Sequence, residues 1–176
     1  MMSKKGQEAW ISAALYLGIG IVIIGVILGA GMPVINKLRD KNVVLQTKDV
    51  LFTLDNNIRE VARSGPGSQR VISVEIKKGE FKIDDKKDRV IWEFESKAML
   101  SEPGEEISEG NLKIMTEGNE APYRVKLWLD YKPEGAKTSI VDLQFEGSQI
   151  ISGKSDFIIK NGGAGEKGVI VKIREK

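Results

Sequence analysis

Between Ala9 and Asn36 the chain carries no charged residue. At a helical rise of about 1.5 Å per residue, that run reaches about 42 Å, against a bilayer hydrocarbon thickness of about 30 Å. It predicts a helix able to cross a membrane. Helical periodicity continues beyond the apolar run. Val44, Leu51 and Ile58 recur at seven-residue intervals and Thr47, Leu54 and Val61 interleave with them. Lys41, Lys48, Asp49, Asp55, Arg59 and Glu60 fill the other faces. This is the stripe of a one-sided helix. It predicts that Val44, Leu51, Leu54, Ile58 and Val61 pack on the domain that follows, a coiled-coil partner being the alternative for so short a stripe. Ser64-Gly65-Pro66-Gly67 then ends the helix. Between the two halves, Gly31 and Pro33 predict an interruption, because proline removes a backbone donor and crowds the preceding turn. That is either a kink or melted stretch, or a helix end at the membrane surface with a second helix from Val34.

From Arg70 the period changes to two. Val74 and Ile76 alternate with polar neighbours, Phe81 and Ile83 follow a turn at Gly79, and Val90, Trp92 and Phe94 form the next run. Leu112 and Ile114, then Val125, Leu127 and Leu129, then Val141, Leu143 and Phe145, continue the pattern. Phe157–Lys160 and Val169–Ile173 close it. Turn signals stand between them at Asp84-Asp85, Pro103-Gly104, Glu117-Gly118-Asn119, Pro133-Glu134-Gly135 and Asn161-Gly162-Gly163. Short alternating strands with one apolar face predict an antiparallel sheet. The expected fold is therefore α+β. A long N-terminal helix spans residues 7–64, with an apolar part over about 9–32 and an amphipathic part over 34–64. An antiparallel β-sandwich-like domain of about eight strands covers 70–176.

Composition sharpens this picture by exclusion. The chain has 176 residues and a net charge of +2, with basic residues scattered rather than striped, so no nucleic-acid partner is expected. Histidine and cysteine are absent, which removes the usual general base, the commonest transition-metal ligand and any His-based triad. Gly153-Lys154-Ser155 ends like a phosphate-binding loop, but Ser148 stands where its first glycine belongs and the following residues read as strand. Gly162-Gly163-Ala164-Gly165 reads as a flexible connection between the last two strands. Glu102, Glu105, Glu106 and Glu109 read as a solvated acidic loop without EF-hand spacing, and Asp84, Asp85 and Asp88, mixed with lysines, read as a hairpin tip. No enzyme, cofactor or metal is expected.

Within the apolar run, Ala14, Gly18, Gly25 and Gly29 lie four, seven and four residues apart and share one face. Small residues so placed let helices approach closely in lipid, and Gly25-x-x-x-Gly29 is a dimerisation pattern. The competing explanation is the general frequency of glycine in membrane helices. Trp10 stands where an interfacial anchor belongs. Residue types alone leave two uses for this segment. A secretory signal has a basic start and small residues such as Gly29, Ala30 and Gly31 at its end, but a shorter apolar core. A signal-anchor fits the hydrophobicity and Lys4 and Lys5 on the cytoplasmic side, although Lys37, Arg39 and Lys41 follow on the other side.

Lys4-Lys5-Gly6-Gln7 adds a third use. A short basic leader ending in glycine, set directly before the apolar helix, resembles the class III signal of archaeal type IV pilins and archaellins. The resemblance covers residues 3–64 by motif and the rest by architecture. It implies recognition of Lys4 and Lys5 by a prepilin peptidase, a cut between Gly6 and Gln7, and retention of the helix on the mature protein. The glutamate that many type IV pilins carry at the fifth mature position is here Ile11, and Glu8 is the nearest acid for a charge contact with a neighbouring N-terminus. The resemblance further implies a helical homopolymer held by Glu8, Ala14, Gly18, Gly25, Gly29 and Pro33. It implies partnership with the pilus assembly machinery, a single-pass membrane form before assembly, and a cell-surface filament afterwards. Adhesion, motility and uptake filaments share this subunit design.

Overall fold

The computed structural model describes residues 4–132, 139–147 and 150–176, with side chains from Trp10 onward, that of Ser152 excepted. The turn predicted at Pro133-Glu134-Gly135 lies outside the described residues. Contacts divide the chain into two compact units, Met1–Arg39 and Asp40–Lys176.

One helix, α1, runs over Lys4–Arg63. It continues through Gly31 and Pro33, where an interruption was expected. The carbonyl that the Pro33 ring crowds belongs to Gly29, four residues back, whose backbone is the freest to tilt away. Intact turns on either side hold the remaining hydrogen bonds. The helix stops where the sequence predicts. Ser64 N–H still donates to Glu60 O at 2.9 Å, and Gly65 then takes a positive φ of 88° that terminates the spiral.

Eight strands follow: β1 (Gln69–Asp84), β2 (Arg89–Ser96), β3 (Glu106–Glu109), β4 (Leu112–Glu117), β5 (Tyr123–Asp130), β6 (Val141–Glu146), β7 (Ile151–Ala164) and β8 (Val169–Glu175). All belong to one hydrogen-bonded sheet in the order β3-β4-β5-β2-β1-β7-β8-β6. Every neighbouring pair is antiparallel except β6 and β8, which run parallel. The arrangement is α+β, a long helix followed by a mostly antiparallel eight-stranded sheet.

Two glycine-marked turns of the sequence prove to be irregularities inside strands. Gly79 does not separate two strands. It lies within β1, which pairs with β7 as far as Ile76 opposite Gly153 and again, after a register shift, at Phe81 opposite Ile151, while Glu80–Asp84 pair with β2. At φ +87° a Cβ on Gly79 would stand 2.5 Å from the Glu93 carbonyl oxygen, so this close approach admits only glycine. Asn161-Gly162-Gly163 is likewise not a loop. It sits in β7, where the pairing with β8 shifts register between Asn161 and Gly163, as a β-bulge does. The acidic cluster is not all loop either, since Glu106 and Glu109 belong to edge strand β3. There Lys113 Nζ lies 2.8 Å from Glu106 and Lys48 Nζ 2.6 Å from Glu109.

The core joins the amphipathic half of α1 to one face of the sheet. Val44, Leu51, Leu54, Ile58 and Val61 are all buried, in one cluster with Val74, Phe81, Trp92, Leu127, Leu143, Phe157, Ile159 and Val171. Burying each such side chain contributes about 1.5–3 kcal/mol. Two helix carboxylates are buried as well. Asp55, assigned by pattern to a solvated face, is 8% exposed. Arg59 Nε, at 2.9–3.0 Å, and Asn111 Nδ2, at 3.1 Å, satisfy it, which is why the position tolerates a carboxylate. Asp40 continues the buried stripe one turn before Val44 and is 6% exposed. It accepts from Lys78 Nζ at 2.7 Å and from the Lys97 N–H at 2.6 Å.

Candidate assembly surface

From Trp10 to Arg39 the helix leaves side chains exposed on every side. From Trp10, 73% exposed, through Ile11, Leu15, Leu17, Ile21, Val22, Ile24, Val26, Ile27 and Leu28 to Met32 and Val34, large apolar side chains stay open. The most apolar window of the helix is 0% buried, and the helix is long and apolar enough to cross a membrane. A helix apolar on every side needs either lipid or other helices around it. Tyr16, 74% exposed, is the other aromatic on this rod.

Ala14, Gly18, Gly25 and Gly29 fall within an arc of about 60° when 100° is allotted to each residue. At Gly18, Gly25 and Gly29 a built Cβ meets no atom within 4 Å among the described residues. Glycine inside a helix costs about 1 kcal/mol relative to alanine. Nothing among the described residues requires that cost at these three positions. Their small size is open to something that packs against the helix from outside. The competing explanation is the frequency of glycine in membrane helices, since Gly20 and Gly31 on another face are equally open. Pro33 is exposed and lies next to this arc. The side chains of Lys4, Lys5, Gln7 and Glu8, and the flank of Gly6, lie outside the described side chains, so the geometry of the proposed cut and of the Glu8 contact is not on view. Lys37, Arg39 and Lys41 are exposed and follow the apolar run directly.

The other five assigned positions do a different job. Val44, Leu51, Leu54, Ile58 and Val61 are 0–5% exposed and locked into the core of Asp40–Lys176. The stripe is thereby used up within the chain, leaving no apolar seam for a coiled-coil partner on those residues. Pattern reading missed Asp40, whose Lys78 contact fixes the helix to β1. Its signal was present in the spacing Asp40, Val44, Thr47, Leu51, which extends the stripe backward by one turn. Burial pulls the Asp40 carboxyl upward, but donation from Lys78 and the Lys97 N–H and the charge of Lys78 outweigh it, leaving the group below its ordinary value of 3.8. Asn161, 2% exposed, was read as a turn residue and is instead the cap of α1.

Among the described residues the motifs that might carry chemistry serve the strands and turns of the fold. Gly153-Lys154-Ser155 pairs residue for residue with Ile76-Glu75-Val74, so its amides serve a ladder and not a phosphate. Asp84 Oδ1 accepts the N–H groups of Lys86 and Lys87, both at 3.1 Å, closing the hairpin tip. Asp88 is buried beside it and accepts from Ser139 Oγ and, at 3.0 Å, from Leu143 N–H. Among the described residues no three acidic side chains converge as a metal site. No protein-family model matches the chain, nor does any curated protein or solved structure.

Proposed function

We propose that this chain is a structural subunit of an archaeal type IV pilus-like extracellular filament. The observation that carries the proposal is the face Gly18, Gly25 and Gly29, open to 4 Å on a helix whose most apolar window is 0% buried. In this reading the leader through Gly6 holds the chain in the membrane until a prepilin peptidase cuts before Gln7. The freed helix then leaves lipid for a bundle of identical helices, where close approach at the glycines supplies the van der Waals contact that lipid chains otherwise provide. Glu8 supplies the charge contact to a neighbouring amino terminus, and the β domain faces outward. The site of such a protein is an interface, and no chemistry is required of it.

A second reading rests on the compactness of Asp40–Lys176 as a unit. A single-pass anchor presenting that unit outside the cell as a binding module, or as a minor subunit of a secretion or uptake machine, uses the same helix without polymerising.

Sequencing the amino terminus of the protein from its native membranes and surface fraction separates these readings. A start at Gln7, abolished by Gly6→Leu, establishes prepilin processing and makes filament assembly the question. A start at Met1 or Met2 favours the anchored module. A start near Met32 retires both in favour of a secreted β domain.

A further inference from the structure

The solvent face of one half of the sheet carries an arrangement that the fold does not need. In β8, Val171 and Ile173 point into the core while Lys172 and Arg174 point out; in β7, Ile159 points in and Lys160 out. The strand register sets Gln144, Lys172, Lys160 and Gln69 side by side across β6, β8, β7 and β1. The next outward row is Glu146, Arg174, Ile158 and Val71. Six of these eight residues, Gln69, Glu146, Ile158, Lys160, Lys172 and Arg174, line a groove of about 370 Å³, with Gln144 and Val71 beside it.

Three cations face one carboxylate there. Among the described residues none of the three forms an ion pair, although Lys48, Lys78, Lys82, Arg89, Lys113 and Lys126 all do elsewhere. Lys160 and Lys172 are direct cross-strand partners, their Cβ atoms about 5 Å apart, a placement in which like charges destabilise a sheet. An anion between them removes that repulsion. Arg174 stands two residues along β8, about 6.6 Å away, and offers a planar fork suited to a second anionic group. The amides of Gln69 and Gln144 flank the lysines, each able to donate and accept as a sugar hydroxyl requires. Ile158 is the apolar residue lining the groove, and the exposed Val71 lies beside it in the same row. No aromatic ring stands in either row, so a nucleic-acid base has nothing to stack on.

We infer that this groove binds an acidic oligosaccharide. Lys160 and Lys172 share one carboxylate or sulfate group, Arg174 holds the next, and Gln69 and Gln144 read the hydroxyls between them. This assignment does not depend on whether the chain polymerises.

The test is titration calorimetry on the full chain in detergent micelles. The probes are an oligogalacturonate, a sulfated oligosaccharide of similar length, a neutral dextran oligomer, a single-stranded oligonucleotide and free sulfate. We expect binding of at least one acidic oligosaccharide, weakening as salt rises, and no binding of dextran. K160Q/K172Q should weaken it at least tenfold, and K86Q/K87Q, the same charge change at the β1–β2 hairpin tip, less than twofold. The melting temperature of K160Q/K172Q should equal or exceed the parent's, because a like-charge pair is removed. The inference is overturned by no acidic oligosaccharide binding, by equal weakening in both double variants, or by a lowered melting temperature in K160Q/K172Q. Tighter binding of the oligonucleotide would assign the groove to nucleic acid instead, and free sulfate binding as well as the oligosaccharides would leave only an inorganic anion site.

Discussion

The side-chain amide of Asn161 closes the end of a helix one hundred residues away in sequence: Nδ2 donates to Val61 O at 2.9 Å and to Ala62 O at 3.0 Å. These are carbonyls of the last turn of α1, which have no partner within the helix. The same side chain accepts from Gly163 N–H at 2.7 Å, and its backbone bonds Ser68 O and Gly67 N–H. One buried residue thus ties helix terminus, connecting turn and β7 bulge together.

Replacing Asn161 by alanine leaves Ala62 O and Gly163 N–H without this partner, while Val61 O still accepts from Ser68 Oγ at 3.0 Å, so a loss of about 1–3 kcal/mol in unfolding free energy is expected. Asn161→Asp keeps the acceptor for Gly163 but sets a negative group against two carbonyls at the negative end of the helix dipole, and should be no better than alanine. Urea denaturation followed through the buried Trp92 and Trp128 reads both. A fully stable N161D would show that the amide donors are not what matters.

Gly79 and Gly67 separate two costs of glycine replacement. Both have positive φ, near 88°, but only at Gly79 does a Cβ collide, with Glu93 O at 2.5 Å and Trp92 Nε1 at 2.9 Å. Gly67→Ala should cost about 1–2 kcal/mol in backbone strain. Gly79→Ala should cost clearly more and disturb the Trp92 Nε1–Lys78 O bond of 2.8 Å, visible as a shift in tryptophan emission. Equal losses would mean that β1 can move away from β2 freely.

Asp40 predicts acid sensitivity with a defined sign. Its folded-state ionisation lies below the ordinary 3.8, so its stabilisation is complete above that value and drains away as pH falls through the lower folded-state value. Asp40→Asn still accepts from Lys97 N–H but forfeits the charge contact to Lys78, which is half open to solvent; about 1 kcal/mol should be lost at pH 7. The gap between variant and parent should narrow as the pH drops toward 2. A gap constant from pH 7 to pH 2 would contradict a charge-based contribution.

Gly25→Ile and Gly29→Ile test the open helical face. Because a Cβ at either position meets nothing among the described residues, unfolding of the β domain should be unchanged within about 0.5 kcal/mol. Self-association, measured by cross-linking in detergent or by filament counts on cells, should fall several-fold. Assembly equal to the parent's would mean that these glycines reflect membrane-helix composition alone.

The parts of this fold that are written in periodicity were legible. The apolar run, the Val44–Val61 stripe, the Ser64-Gly65 stop and most strand cores announce themselves because side chains facing one environment must repeat with the backbone. Strand number came out at eight for a reason worth separating. The residues on either side of Gly79 belong to one strand, while β3, with Glu106 and Glu109 on an exposed edge, carries no apolar alternation to betray it. Glycine was the recurrent source of misreading. The same residue type marks a turn at Gly65, a bend inside β1 at Gly79 and a bulge in β7 at Gly163, and only the neighbouring strand decides which. Asp40, Asp55 and Asn161 were hidden for another reason: a buried polar residue is recognised by its partner, and Lys78, Asn111 and the Val61 carbonyl are distant in sequence.

The placement of β8 between β7 and β6 has a consequence for the order in which the domain can be made. β6 leaves the ribosome before β7 and β8, yet among the described residues β8 is its one strand partner in the sheet. Until residues 169–175 arrive, the backbone groups of Val141–Glu146 have no ladder to join, and the helix cap at Asn161 is itself a late arrival. Contacts of such long sequence separation form slowly. The domain therefore stays incomplete until residues 169–175 have been made, so the sheet closes only when its last strand arrives.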